Sequence, residues 1–190
     1  MYTPWGPSQQ VTPVIDGIVA VSTAGHGGLK LDAARQRAMP SHLRVAGGWY
    51  EEDCEWCIPF VAFAEEIVRD GSRYAVDIIY KGEHEATLRH WYPEKWEIQY
   101  GRELGPGESN QKDRRLFLAA HANDYLVTCA FGDWHENVPK GFVGGYAKLG
   151  GHDGHGSGRW FLVTEAEYQS RTLGEFVIDP ARHREIERIA

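Results

Sequence analysis

The chain has 190 residues, 42% hydrophobic and 12% aromatic, a profile that excludes a disordered protein and fits one folded domain over residues 1–190. Its 27 acidic side chains outnumber 20 basic ones for a formal net charge of -7, which argues against broad binding to a nucleic-acid backbone. No stretch reaches the roughly 18 to 20 apolar residues of a membrane span, the opening MYTPWGPSQQ lacks the basic-then-apolar order of an export signal, and the three cysteines (Cys54, Cys57, Cys129) are too few for a disulfide scaffold. These features predict a soluble cytoplasmic protein with reduced thiols.

Residues 11–23, VTPVIDGIVAVST, read as two strands joined by Asp16-Gly17, a dipeptide suited to a tight hairpin. Ala24-Gly25-His26-Gly27-Gly28 then reads as a sharp loop with exposed amides, and LDAARQRAMP as a short helix with Asp32 near its start and a stop at Pro40. In WYEEDCEWCIPFVAFAEEIVRDG, Cys57, Phe60, Val61, Ala64, Ile67 and Val68 fall on one helical face. This predicts a helix from near Trp56 to Asp70-Gly71, with Pro59 in its first turn.

SRYAVDIIY fits helix or strand, HEATLRHWY and PEKWEIQYG read as short helices, and LGPGESNQKD is a loop leading to a helix through DRRLFLAAHAND. The last third reads as a β-meander of YLVTCAFGD, GFVGGYAKL, RWFLVTEAEY and FVIDP, with a closing helix PARHREIERIA capped by Asp179. Residues 150–158, rich in Gly and His, are expected to be a mobile hairpin tip. The expectation is an α+β fold, an antiparallel sheet (N-terminal hairpin plus C-terminal meander) covered by helices.

Four constellations carry candidate chemistry. A thiol nucleophile at Cys54, at the start of a helix, would need His26, His121 or His135 as base. Against it, Glu51, Glu52, Asp53 and Glu55 oppose a thiolate. Cys54 and Cys57 have a C-x-x-C spacing, yet no second ligand pair of matching spacing follows, and His152 and His155 sit in a glycine-rich tip that would lose entropy on ordering; neither a metal nor any other cofactor is expected. The GHGG run sits where backbone amides cradle anions in other proteins, but it lacks the G-x-G-x-x-G and P-loop patterns, and steric demand for glycine is the simpler reading.

The fourth constellation is the block Glu51, Glu52, Asp53, Glu55, Glu65 and Glu66, which contains no Lys or Arg from residue 51 to 66. Acids at a helix start favour the helix dipole. With Trp49, Tyr50 and Trp56 beside them, they also compose a recognition surface for a basic protein. A local basic strip, Lys112, Arg114 and Arg115, offers a weaker nucleic-acid contact.

The runs TPWGPSQ, DGIVAVSTAGHGGLKLD, GGWYEEDCEW and FVIDPARH resemble a family of uncharacterised proteins of bacteria, plasmids and phages, nearly along the whole chain. The resemblance implies a cytosolic accessory protein of mobile elements, with matching positions at His26, Glu51, Glu52, Asp53 and Cys54, and with Cys57 where a small apolar residue is expected. By analogy with other small acidic proteins of such elements, the functional expectation is a non-enzymatic inhibitor that binds a host defence protein of the CRISPR or restriction kind. Its contact residues would be Trp49, Tyr50, Glu51, Glu52, Asp53, Glu55 and Trp56, without membrane or direct nucleic-acid contact. The alternative expectation is a cysteine hydrolase with Cys54 as nucleophile and a histidine base.

Overall fold

A computed structural model describes residues 1–154 and 156–189, all except the side chain of Asp153. His155, weighed above as a ligand and placed in the expected mobile tip, lies outside the described residues. The fold is α+β with antiparallel sheets, and it divides into two compact units, Met1–Gln111 and Lys112–Ala190. No described helix is long and apolar enough to cross a membrane.

In the first unit a two-stranded ribbon, β1 (Tyr2–Thr3) with β2 (Gly6–Pro7), precedes a four-stranded meander of β3 (Gln10–Ile15), β4 (Ile18–Ser22), β5 (Gly27–Leu31) and β6 (Trp49–Glu51). Asp16-Gly17 turns β3 into β4, with Gly17 at φ 76°, as the dipeptide predicts. Pro13 lies on β3, an edge strand, where its missing N–H breaks no ladder between central strands. The helix α1 (Ala33–Ala38) begins where expected, because the Asp32 carboxylate accepts the Arg35 N–H at 2.7 Å.

Five further helices follow: α2 (Cys57–Ala62), α3 (Ala64–Asp70), α4 (Arg73–Tyr80), α5 (Glu83–Trp91) and α6 (Pro93–Tyr100). The single helix expected from Trp56 to Asp70 is broken at Phe63, whose φ of -122° and ψ of 27° leave the helical region. The break places Phe63 in the same core as Phe60, with the Arg35 guanidinium over its ring at 5.1 Å. The ambiguous stretch 73–80 is helical, and Ser72 caps it by accepting the Ala75 N–H at 3.3 Å. The core joins Ile18, Leu31 and Tyr50 of the sheet to Ile58, Ile67 and Leu88 of the helices.

His84 on α5 is buried with no partner for its Nδ1. Burial holds its pKa below the usual histidine value, outweighing the nearby Glu85 carboxylate and a backbone hydrogen bond at Ile78. The fold therefore keeps the neutral ring while the unfolded chain binds a proton below about pH 6.5, so stability falls as pH drops through that value. Urea midpoints measured between about pH 7.5 and about pH 5.5 should decline more steeply for the wild type than for His84→Leu, by at most about 1.4 kcal/mol per pH unit for the one proton. Equal slopes would show that this ring is not the titrating group.

The second unit carries most of α7 (Asn110–Ala120), then β7 (Tyr125–Phe131), β8 (Phe142–Leu149), β9 (Arg159–Thr164), α8 (Glu165–Gln169), β10 (Val177–Ile178) and β11 (Arg184–Ile186). The sheet order is β10-β7-β8-β9-β11, around a core of Ala147, Phe161, Val163 and Ile178. The closing helix expected at 180–190 is absent among the described residues. Asp179 instead closes a turn, its carboxylate accepting the Ala181 N–H and its own N–H donating to His183 Nδ1, both at 2.9 Å. Arg184–Ile186 then pair with Trp160–Leu162. After β8, Gly151–Asp153 form a 3-10 turn, and the Gly150 N–H donates to Asp124 O at 2.9 Å.

Candidate functional site

Two sequence runs far apart in the chain, residues 23–28 and 49–55, meet at one end of the N-terminal sheet. Between β4 and β5, Thr23 donates from both its N–H and its hydroxyl to the His26 carbonyl at 2.7 Å and accepts the His26 N–H at 3.1 Å, which fixes the turn and holds His26 at the sheet end. The strand begins at Gly27, so the sharp loop expected over residues 24–28 is shorter than the run suggests: Gly27 and Gly28 are paired with Ser22 and Val21, and Gly28 also with Glu51. Neither glycine has a positive φ. A Cβ on Gly27 would collide with the Glu52 carboxylate, and one on Gly28 with the Tyr50 carbonyl and the Trp5 ring. Close approach, rather than an unusual backbone, is why these positions need glycine.

The acids of the YEEDCEW run lie at the end of β6 and in the turn after it. Glu52 and Asp53 are exposed, while Glu51 and Glu55 are half-buried. The Glu51 carboxylate accepts the Asp53 N–H at 2.8 Å, and Glu55 accepts the Glu51 N–H at 3.2 Å. Among the described residues none of the four pairs with Lys or Arg. Their imidazole neighbour is His26, whose Nδ1 lies 3.8 Å from Glu51 and 3.6 Å from Glu52. One imidazole and two carboxylates, with ligand atoms all within 4.8 Å, could hold a divalent cation, a grouping that reading spacing along the chain had not joined.

The aromatic members of the expected surface divide. Trp49 is half-buried, edge-on to Trp5 at 5.6 Å, with the Lys30 ammonium 4.8 Å from its ring. Trp56 is half-buried and edge-on to Phe60 at 5.4 Å. Tyr50 is fully buried, which corrects its place among the contact residues: β6 alternates, so Tyr50 faces the core between two outward neighbours. Its hydroxyl donates to Gln36 at 3.2 Å and accepts the Val45 N–H at 3.3 Å, and burial pushes its pKa up.

The thiol at Cys54 meets the Tyr92 hydroxyl at 3.1 Å, and among the described residues no imidazole is its hydrogen-bond partner. Burial and the Cys54 contact push the Tyr92 pKa up. His26 faces the glutamates; His135 accepts the Asn137 N–H at 3.3 Å beside the Phe131 and Trp134 rings, and His121 pairs with Asp124 at 2.6 Å. Cys57 is buried, donates to the Cys54 carbonyl at 3.0 Å, and burial pushes its thiol up to about 12. Iodoacetamide near pH 7.5 should therefore modify exposed Cys129 first, with Cys57 at least about a thousandfold slower from its thiolate fraction alone. Peptide mass mapping over time would show the order, and early labelling at Cys54 would revive the nucleophile reading.

Next to the acids lies an open cleft of about 570 Å³. One wall is the sheet, through Thr12, Val14 and Ala20; the other is Trp56, Phe60 and the α4 residues Tyr74, Ala75 and Ile78. Glu52 and Glu83 are its charged lining residues. Sequence reading missed the cleft, whose lining includes Tyr74, a large aromatic residue 77% exposed. In the second unit, Arg114 of the expected basic strip is held on the Glu175 carboxylate, its Nε at 2.8 Å.

The chain belongs to the family described as Domain of unknown function (DUF7007), which matches residues 1–122. No curated protein and no solved structure matches it.

Proposed function

We propose, since membership of that family brings no activity with it, that this chain is a non-enzymatic binding protein acting against a host defence protein of the CRISPR or restriction kind. The observation that carries the reading is the group Glu51, Glu52, Asp53 and Glu55, which no Lys or Arg neutralises among the described residues. Carboxylates without a Lys or Arg counter-charge, two of them exposed, raise a local negative potential that steers a basic surface into place and mimics the phosphates such a surface ordinarily holds. Half-buried Trp49 and Trp56 flank the group and supply apolar anchors that need little reordering. The net charge of -7 adds a long-range attraction of the same sign. Assignment to a mobile element and to the host cytoplasm rests on the sequence runs that resemble plasmid and phage proteins.

The test is protection of an infecting phage or incoming plasmid in cells carrying an active restriction or CRISPR system. Expression of the wild type should restore infection or transfer, and the charge-reversed pair Glu51→Lys, Asp53→Lys should not, at equal soluble protein level. If the wild type protects against neither system, or the reversed pair protects equally, the reading falls.

A further inference from the structure

We infer that the cleft between the β3–β4 face and α4 receives an arginine or lysine side chain on an extended segment of a protein partner. This rests on the binding-protein reading above and names what that partner brings. The charged lining residues are Glu52 and Glu83, with no Lys, Arg or His among the described lining residues, so an anion is repelled and a cation drawn in, although the Glu52 carboxylate also has His26 Nδ1 at 3.6 Å. Glu83 has an exposed cation near it, Lys81 at 3.9 Å, but such a pair in water is weak and a desolvated incoming cation displaces it.

The walls favour a cation on an apolar stem. Trp56 and Phe60 stand edge-to-face on one side, Tyr74 stands at the rim, and Val14, Ala20 and Ile78 offer aliphatic surface. Aromatic faces attract ammonium and guanidinium groups, and long basic side chains bury their methylenes while keeping the charged head near a carboxylate. Size and openness decide between a free small cation and a peptide. About 570 Å³ exceeds one side chain, and the cleft opens along β3, an edge strand whose Gln10 to Pro13 are all exposed. A segment lying along that edge fills the space that a single amine leaves wet.

The experiment is fluorescence anisotropy of a labelled peptide, acetyl-Gly-Leu-Arg-Leu-Gly-amide, with the full chain. Its partner is the same peptide carrying citrulline, which keeps the shape of arginine and removes the charge. Saturable binding near 0.1 mM is expected, with the citrulline peptide weaker by about tenfold or more. Glu83→Gln should lose about tenfold, Ala20→Phe should fill the cleft and remove binding, and Tyr80→Ser, exposed and outside the lining, should change nothing. Near-ultraviolet circular dichroism checks that each variant is folded, and Glu83→Gln carries the test if Ala20→Phe is not.

Equal affinity for the arginine and citrulline peptides, no saturation by about 1 mM, or displacement by free arginine at the peptide's own concentration would overturn the inference. The two readings separate cleanly. Protection that depends on Glu51 and Asp53, combined with no peptide binding, removes the cleft assignment alone. Peptide binding without protection removes the anti-defence assignment and leaves the cleft as a site.

Discussion

Gly28→Ala is expected to cost at least about 2 kcal/mol, more than alanine at either other glycine of the same run. The new methyl would meet the Tyr50 carbonyl and the six-membered ring of Trp5, and neither can retreat. The carbonyl belongs to β6, whose register with β5 is set by the pairs Gly28–Glu51, Leu29–Tyr50 and Lys30–Trp49, while Trp5 is held edge-on to Trp49. At Gly27 the obstacle is the end of the Glu52 side chain, with the Val21 carbonyl 3.0 Å away, so Gly27→Ala should cost less stability while moving that carboxylate. Gly25 has nothing within 4 Å and no positive φ, so Gly25→Ala should stay within about 0.5 kcal/mol. Urea unfolding followed by tryptophan fluorescence gives all three values. Three equal values would mean that the run is a loop under local constraint and that Trp5 does not rest on the strand.

Signals that act within one turn of chain were legible. Asp32 and Pro93 each start a helix where their chemistry places them, and Asp16-Gly17 makes its hairpin. The same signals misled at Asp179-Pro180, because strand partners decide that segment from afar: Arg184–Ile186 are claimed by residues 160–162 of β9. The GHGG run failed for a related reason. Its glycines promise a loop, yet β6 supplies a ladder partner more than 20 residues downstream, and the absence of side chains serves the neighbours. The acids of the candidate site were visible as a run, whereas His26 joins them only through the β5–β6 pairing. Tyr50 could have been withdrawn from the surface by strand alternation alone. The cleft draws on residues 10 to 83, and no window along the chain contains it.

The other large effect belongs to the second unit, where Arg114→Ala is expected to cost about 2 to 3 kcal/mol. The Glu175 side chain is 8% exposed, and Arg114 covers it with Nε at 2.8 Å and a second N–H on the same oxygen. Glu175 cannot swing out to water easily, since its N–H and C=O are both bonded to Thr172 across a tight turn with Leu173 at φ 54°. Removing the guanidinium leaves a carboxylate taken out of water with its counter-charge gone. Because Arg114 itself is 45% exposed, the loss should fall below that of a wholly buried pair. Glu175→Gln in the Arg114→Ala background should recover at least about 1 kcal/mol, since a neutral amide tolerates the same place. Hydrogen exchange at the β7–β9 amides reads the effect in this unit directly, whatever the other unit does. If Arg114→Ala leaves exchange unchanged, the ion pair does not hold the fold, and the guanidinium returns to the candidates for nucleic-acid contact.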